Sequence, residues 1–365
     1  MKIAIIPWGK LDLNDRLFYS IDEHNNIVPR KSPMYDMQQT FSMRGDELHT
    51  VDIFNDLKEI DFFLLFELNW MWIKAINKVG KSDKVIYCNG EPPVVTSINA
   101  PKGYIFLSHF IPYILSWNKD WVDNRIVFKR NIPYYFSYDY GCVKFADRKL
   151  LTGISGNKTS KHPKELYSER ENIYRYFEQN YPDCFDFYGT GWSKSNHPCY
   201  GGMVESKSIV YHNYKFAICF ENMKDVNDYV TEKIWDCLTC GIVPIYAGAK
   251  NIQDYIPKEC YIDYFEFKSY DELAHFLFNV DEQKYQSYLI AAQNLLDTRV
   301  KEEFSGQRYA DYIYCVMQQG KEFKMTMIQK AFVEFQVIKT KAIEKLKLAI
   351  KYLIKKKEII NIMIV

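Results

Sequence analysis

Short apolar runs set apart by polar stretches recur through the first third of the chain. Residues 2–7, 49–54, 62–66, 85–89, 104–108 and 125–129 each read as a strand. Nearly continuous apolar runs of this length suit strands buried on both faces of a parallel sheet. Between two of them, residues 70–78 carry a helical spacing of large apolar side chains. Residues 139–148 are polar and without period, residues 150–154 open a new strand, and a polar run follows over 155–164. The pattern predicts an N-terminal α/β domain over 1–147, a second α/β domain over 148–320 and a tail over 321–365. No internal sequence repeat is visible.

The most informative stretch is residues 214–248. Residues 214–220 form a short apolar run with an aromatic at each end, as in a buried parallel strand. Glu221, Asn222, Lys224, Asp225, Asn227 and Asp228 then break it. Thr231 is a suitable N-cap for a helix that Gly241 would stop, and residues 242–246 return to a strand pattern. The result is a βαβ unit, and open α/β sheets bind ligands at the carboxyl ends of their strands. Glu232 suits the first helical turn, whereas Lys233 places a cation beside the positive helix end, at a cost of up to about 1 kcal/mol. A bound anion would remove that conflict. So would a turn of Lys233 into water, or pairing with Glu221, Asp225 or Asp228.

Composition changes this picture little. The 365 residues are 47% hydrophobic and 25% charged, which is ordinary for a globular protein of two domains. Aromatics reach 16%, as in Tyr134-Tyr135-Phe136, and packing accounts for most of them. Nine cysteines at irregular spacing favour a reducing compartment. Cys237 and Cys240 are the one C-x-x-C pair, inside the expected helix and without a second pair at zinc spacing, so no metal ligands are assigned. The apolar start of the chain is short for a signal peptide and reads as a first strand. No apolar run reaches the roughly 18 residues of a membrane span.

The residue string of this stretch resembles a signature of the α1,3/α1,4-fucosyltransferases, glycosyltransferase family 10. It comprises Tyr214-Lys215-Phe216, Phe220-Glu221-Asn222, Asp228-Tyr229-Val230-Thr231-Glu232-Lys233-Ile234-Trp235 and Val243-Pro244-Ile245. The likeness covers residues 150–256 well and the first domain thinly. It implies the GT-B fold, two Rossmann-like domains facing a cleft, here followed by a basic helical tail. It also implies transfer of L-fucose from GDP-β-L-fucose, with inversion, to a GlcNAc or lactosamine-type glycan in α1,3 linkage, in a surface polysaccharide or Lewis-type context. Animal members begin with a membrane anchor. Its lack here points to a bacterial-type cytoplasmic enzyme.

The resemblance assigns roles residue by residue. Glu91, in Asn89-Gly90-Glu91-Pro92-Pro93, stands where the family carries Glu-Ser-Pro with its catalytic base, although the Ser is absent. Two prolines stiffen that loop. A sugar hydroxyl ionises far above neutral pH, so a carboxylate that takes its proton during attack lowers the barrier. The alternative for Glu91 is an exposed turn residue. The donor set is Arg170, Tyr188, Glu221, Asn222, Tyr229, Val230, Thr231, Glu232 and Lys233. Arg170, in Tyr167-Ser168-Glu169-Arg170, matches an Arg that would grip the diphosphate through its planar fork. A surface salt bridge is its alternative, and Arg175 one turn later serves as the solvated comparison. Tyr188, in a Phe-Tyr-Gly that resembles the family's Val-Tyr-Gly, either flanks the guanine or packs in the core. The chain has no D-x-D, so no metal is expected to be required, with Mg²⁺ or Mn²⁺ at most stimulatory.

The tail carries eleven lysines and four glutamates, a net charge of +7 in a chain whose total is +1. Ile343, Leu346, Ile350, Leu353 and Ile354 recur at helical spacing, with Lys341, Lys345, Lys351 and Lys355 on other faces. Such a helix suits an anionic membrane surface, here the inner face of the cytoplasmic membrane. A helix docked on the protein, or a seam in a homodimer, is the alternative. Nucleic acid is not an expected partner, because the tail holds no Arg and the chain is nearly neutral. Two other readings stand beside fucosyl transfer: a GT-B enzyme with another nucleotide-sugar donor, and a non-catalytic glycan- or membrane-binding protein.

Overall fold

The computed structural model describes the backbone of residues 1–363 and the side chains of residues 1–352. Two parallel sheets dominate it. The first contains β1 (Lys2–Ile6), β2 (Glu47–Thr50), β3 (Phe62–Leu65), β4 (Val85–Tyr87), β5 (Tyr113–Ser116) and β6 (Val127–Lys129), in the spatial order β2-β1-β3-β4-β5-β6. The second contains β7 (Lys149–Ile154), β8 (Phe185–Tyr188), β9 (Tyr214–Phe220), β10 (Val243–Ala247) and β11 (Ile262–Asp263), in the order β8-β7-β9-β10-β11. Every ladder in both sheets is parallel. The two sheets therefore share one winding: the second strand flanks the first on one side and the third on the other. That reversal leaves a crevice at the carboxyl ends of the first and third strands of each sheet.

Helices cover both faces of each sheet, as parallel strands require. On the first sheet, α1 (Pro33–Met43) packs on one face, while α2 (Trp70–Lys78) and α3 (Pro101–Leu107) pack on the other. On the second, α4 (Tyr167–Asn180) shares one face with α7 (Tyr270–Asn279). The opposite face takes α5 (Lys207–Tyr211), α6 (Glu232–Cys240) and part of α8 (Glu282–Leu296). Thr231 caps the start of α6, its hydroxyl accepting from the Lys233 amide at 3.5 Å. It ends at Gly241, left-handed with φ of 68°, where a glycine escapes the Cβ clash.

Two expectations give way here. Residues 104–107 belong to α3, and Ser108 caps it, where a strand was expected. Pro101 opens the helix, Tyr104 and Leu107 bury at helical spacing, and Ile105 between them is 67% exposed. The strand is Tyr113–Ser116, six residues beyond the end of α3. The run 49–54 contributes only its start to β2 and then turns into a 3₁₀ segment, Val51–Ile53.

After α9 (Val300–Glu303) the chain crosses back to the first sheet. There α10 (Gly306–Met317) lies against α1, and Tyr309, Ala310, Ile313, Val316 and Met317 complete that core. These residues fall within 148–320 but pack with the first domain, because the apolar face of α10 complements that of α1. The tail is one helix, α11 (Met327–Met363). Its start docks on the first domain: Val333 and Val337 are buried, and Phe332 stacks on Phe110 and meets Trp70 edge-on. Lys74 pairs with Glu334. Beyond this seam Ile343, Leu346 and Ile350 are exposed. Leu353, Ile354 and Lys355 lie outside the residues whose side chains are described. Among the described residues no helix is long and apolar enough to cross a membrane.

Candidate active site

The crevices of the two sheets face each other across a cleft of about 700 Å³. A small apolar cluster bridges the domains at its edge, with Val94 and Trp117 from the first and Tyr167, Met223, Val226 and Tyr229 from the second. The Tyr229 ring lies 4.8 Å from that of Trp117. Beside it, Asp228 adopts a left-handed φ of 63° and is 3% exposed. Its carboxylate accepts from the Lys119 amide at 2.8 Å, the Asn251 side chain at 2.8 Å and the Tyr255 hydroxyl at 2.6 Å, and Lys129 stands 3.8 Å away. Burial opposes ionisation of Asp228, yet those hydrogen bonds and the Lys129 charge pull its pKa below the ordinary value. The loop between β9 and α6 is thus pinned to the first domain at the mouth of the site.

Glu221 follows β9 and is fully buried. One carboxylate oxygen accepts from the Thr231 amide at 2.8 Å and the other from the Thr231 hydroxyl at 2.7 Å, at the start of α6. Lys233 turns back to the same carboxylate at 3.1 Å, to the Thr231 hydroxyl at 2.9 Å and to Glu232 at 3.4 Å. The misplaced cation is therefore balanced by protein carboxylates, so the charge conflict alone does not require a bound anion. Burial disfavours the Lys233 charge, but Glu221 and Glu232 outweigh it and raise its pKa. Burial raises that of Glu221 against the pull of Lys233. Burial also works against Glu232, whose carboxyl Lys233 and Lys207 nevertheless hold down to about 2.

Arg170 has a different environment. It is 4% exposed, and one guanidinium nitrogen donates to the carbonyls of Phe220 at 2.7 Å and Glu221 at 3.0 Å. Among the described residues no carboxylate forms an ion pair with it, while it lines the cleft. Arg175, one turn on, pairs with Glu171 at 2.7 Å on the exposed face. A buried cation without a counter-charge costs several kcal/mol. An anionic group in the cleft would offset that cost.

Of the residues expected at the site, Glu91, Arg170, Asn222, Tyr229, Thr231, Glu232 and Lys233 line the cleft. Glu91 enters from the first domain, exposed, on the loop after β4. Its amide donates to Asn89 at 2.8 Å and its carbonyl accepts from Asn99 at 2.7 Å, which fixes the loop. Three residues stand elsewhere. Val230 is core, Glu221 sits behind the wall, and the Tyr188 hydroxyl meets that of Tyr214 at 3.2 Å in the apolar layer under α6. Gly189 and Thr190 line the cleft in place of Tyr188. The side chain there must be small: a Cβ on Gly189, at φ of 129°, would stand 2.0 Å from the Ser155 carbonyl oxygen. Lys158, Glu205, Lys207 and Trp8 also line the cleft. Ser155-Gly156-Asn157-Lys158 directly after a strand is the signal that would have revealed Lys158. Among the described residues no group of three or more His, Cys, Asp or Glu could hold a metal.

Residues 157–319 match the sequence model described as glycosyltransferase family 10 (fucosyltransferase), C-terminal part. Residues 157–319 belong to glycosyltransferase family 10. Within this family 10 region the chain is 37% identical over 98 residues to the GDP-fucose protein O-fucosyltransferase 3 of Bos taurus, covering 26% of this chain and 19% of that protein. It is 46% identical over 65 residues to the alpha-(1,4)-fucosyltransferase of Arabidopsis thaliana, covering 18% and 16%. The matches thus span less than a fifth of these curated relatives. Structural likeness reaches further. An alpha1,3-fucosyltransferase crystal structure superposes with a TM-score of 0.55 at 16% identity, over 88% of this chain and 91% of that one. The same kind of enzyme crystallised with GDP-fucose gives 0.52 at 16% identity, over 89% and 92%. At such identity the likeness is one of fold, and the fold is GT-B.

Proposed function

We propose that the chain transfers L-fucose from GDP-fucose to a sugar hydroxyl. The observation that carries this reading is Arg170, a buried cation without a carboxylate partner among the described residues, in the wall of a cleft to which the first domain contributes Glu91. The diphosphate would lie against Arg170 and the start of α6, where the helix dipole favours negative charge. Lys233 would exchange its long contact to Glu232 for a phosphate oxygen while keeping Glu221 and Thr231. Its role then is partly fixed by the protein, with Glu221 as its permanent partner.

In the transfer, Glu91 takes the proton of the acceptor hydroxyl as its oxygen bonds to the anomeric carbon of fucose. The bond from that carbon to the diphosphate oxygen breaks at the opposite face, and GDP leaves with the electron pair. Configuration inverts, so the β-linked donor gives an α-fucoside. The donor half of the transition state resembles an oxocarbenium ion, and the charge growing on the diphosphate meets Arg170 and the α6 amides. No metal is needed to balance that step. We place the linkage at O3 of a lactosamine-type GlcNAc in a surface polysaccharide. Likeness to a protein O-fucosyltransferase favours a second acceptor class, a protein hydroxyl. A panel of nucleotide sugars, followed by linkage analysis of the product, tests the reading. Turnover of GDP-fucose with an α1,3-fucosylated glycan supports it, and consumption of another donor alone removes it.

The exposed lysine-rich part of α11 suggests contact with an anionic membrane at the cytoplasmic face, with pairing of two tails in a homodimer as the other use. The docked start of α11 separates the two parts of the tail. Shortening the chain after Thr340 would remove the exposed part and leave the seam of Phe332, Val333 and Val337. Loss of pelleting with liposomes rich in anionic lipid supports the membrane role, and equal pelleting refutes it.

A further inference from the structure

We infer that Trp8 is the platform on which the ring of the acceptor sugar stacks. The inference rests on the fucosyl-transfer reading for the identity of the reaction. The position of Trp8 follows from topology. It comes two residues after β1, at the carboxyl end of the first strand and beside β3. That is the crevice where the first sheet reverses its winding, the counterpart of the crevice that holds Asn222 and Arg170 in the second.

Its surroundings are unusual for tryptophan. Trp8 is 46% exposed, and the other six tryptophans are all buried or partly buried. What sets Trp8 apart is its place in the cleft wall, because ligand clefts are lined by aromatic rings with a few polar groups beside them. Its indole N–H donates to no protein group among the described residues. The ring is nonetheless held: its centroid lies 4.7 Å from that of Phe66, which is 1% exposed and itself rests against Tyr309 of α10. Pro7 precedes it and limits the backbone. The ring thus packs beside Phe66 at an interplanar angle of 45° while Trp8 stays half exposed, so little order is lost when a flat partner binds.

The strand order leaves room for a single ring between Trp8 and Glu91. Trp8 follows β1 and Glu91 follows β4, with β3 between them. Two strand spacings are about 10 Å. A pyranose lying on the indole would extend a hydroxyl toward Glu91. Sugars with equatorial substituents, as in gluco-configured rings, expose a face of axial C–H bonds that suits the electron-rich face of an aromatic ring. A serine or threonine side chain presents no such face. Trp8 therefore selects for a glycan acceptor over a protein hydroxyl.

The test compares wild type with W8A and W8F, using N-acetyllactosamine, methyl β-galactoside and methyl β-N-acetylglucosaminide. Trp8 is half exposed, so both variants should keep the wild-type melting temperature. For W8A the acceptor KM should rise about 10- to 50-fold, from covering roughly half an indole. The KM for GDP-fucose should stay within about twofold, and W8F should recover most of the acceptor affinity. Saturation-transfer NMR in the presence of GDP supplies a readout without turnover: the sugar signal should appear with wild type and vanish with W8A. If wild type consumes no GDP-fucose, the fucosyl reading fails while the NMR arm still decides the platform. An unchanged acceptor KM, a parallel rise in the GDP-fucose KM, or no sugar signal from wild type for any of the three probes would overturn it. So would transfer to a serine or threonine peptide that is faster than to the sugars and insensitive to W8A.

Discussion

Replacing Lys233 by methionine isolates the buried charge pair at the start of α6, beside the cleft. In the wild type, the fully buried Glu221 carboxylate is balanced by Lys233 at 3.1 Å, and Thr231 supplies two further hydrogen bonds. Methionine keeps the length of the side chain and removes the cation, while Thr231 stays in place. Leaving one member of a buried pair unmatched costs about 3–5 kcal/mol. Part of that loss is avoidable, because Glu221 can take up a proton. Its pKa is already raised by burial, with Lys233 as the main opposing charge. Without Lys233 it should rise further.

The sign of the pH effect follows. A carboxyl whose folded pKa lies above its unfolded value binds a proton in the folded state that the unfolded state has released. Stability then falls as pH rises through the interval between the two values, by up to about 1.4 kcal/mol per pH unit. Urea unfolding from pH 5 to 8.5, followed by the summed fluorescence of the seven tryptophans, should show K233M losing stability relative to wild type as pH increases. The double variant E221Q/K233M removes both charges, and it should recover most of the deficit and lose the extra pH slope. Parallel pH profiles for wild type and K233M, or a double variant no better than the single one, would refute the proposed pairing.

Three further outcomes can be measured. R170K keeps a charge but cannot hold the two carbonyls through one nitrogen and still offer further N–H donors to the cleft, so calorimetry should show GDP binding weakened about 10- to 100-fold. D228N should cost about 2–4 kcal/mol near neutral pH, because Asp228 anchors the interdomain loop through Lys119, Asn251 and Tyr255. Since the folded pKa of Asp228 is lowered, its contribution is present above the unfolded value and lost as pH falls through the folded one. The gap between D228N and wild type should therefore narrow in acid. Truncation after Gly320 removes Phe332, Val333 and Val337 along with the exposed tail and should lower the melting temperature. Truncation after Thr340 should not.

Much of the second domain could be read from the sequence because its signals are local. Thr231 and Gly241 mark the ends of α6 by capping chemistry, and the short apolar run before Glu221, with an aromatic at each end and a polar break after it, matches a buried strand. The run 104–108 is not so marked, since a five-residue apolar segment fits either element and Pro101 decides it only with the helix partners in view. The return of α10 to the first sheet depends on a surface made by α1, some 270 residues earlier, and no local pattern reports it. At the site, sequence placed Glu91 and Arg170 on facing walls. It left the partner of Lys233 open among three acids, because the choice depends on the left-handed turns at Asp225 and Asp228 that bring Thr231 back over Glu221. Trp8 carried no motif at all, and it became visible only when the strand order put it in the cleft.

The central claim is that Glu91 activates an acceptor sugar for attack on GDP-fucose held by Arg170. Its most direct test is the turnover of GDP-fucose with N-acetyllactosamine by wild type and E91Q, with GDP affinity measured alongside. The account predicts a wild type that forms the α1,3-fucosylated product, and an E91Q enzyme that binds GDP equally well but turns over about 10²- to 10⁴-fold more slowly. Equal turnover by E91Q, or a wild type that neither binds nor consumes GDP-fucose, would contradict it.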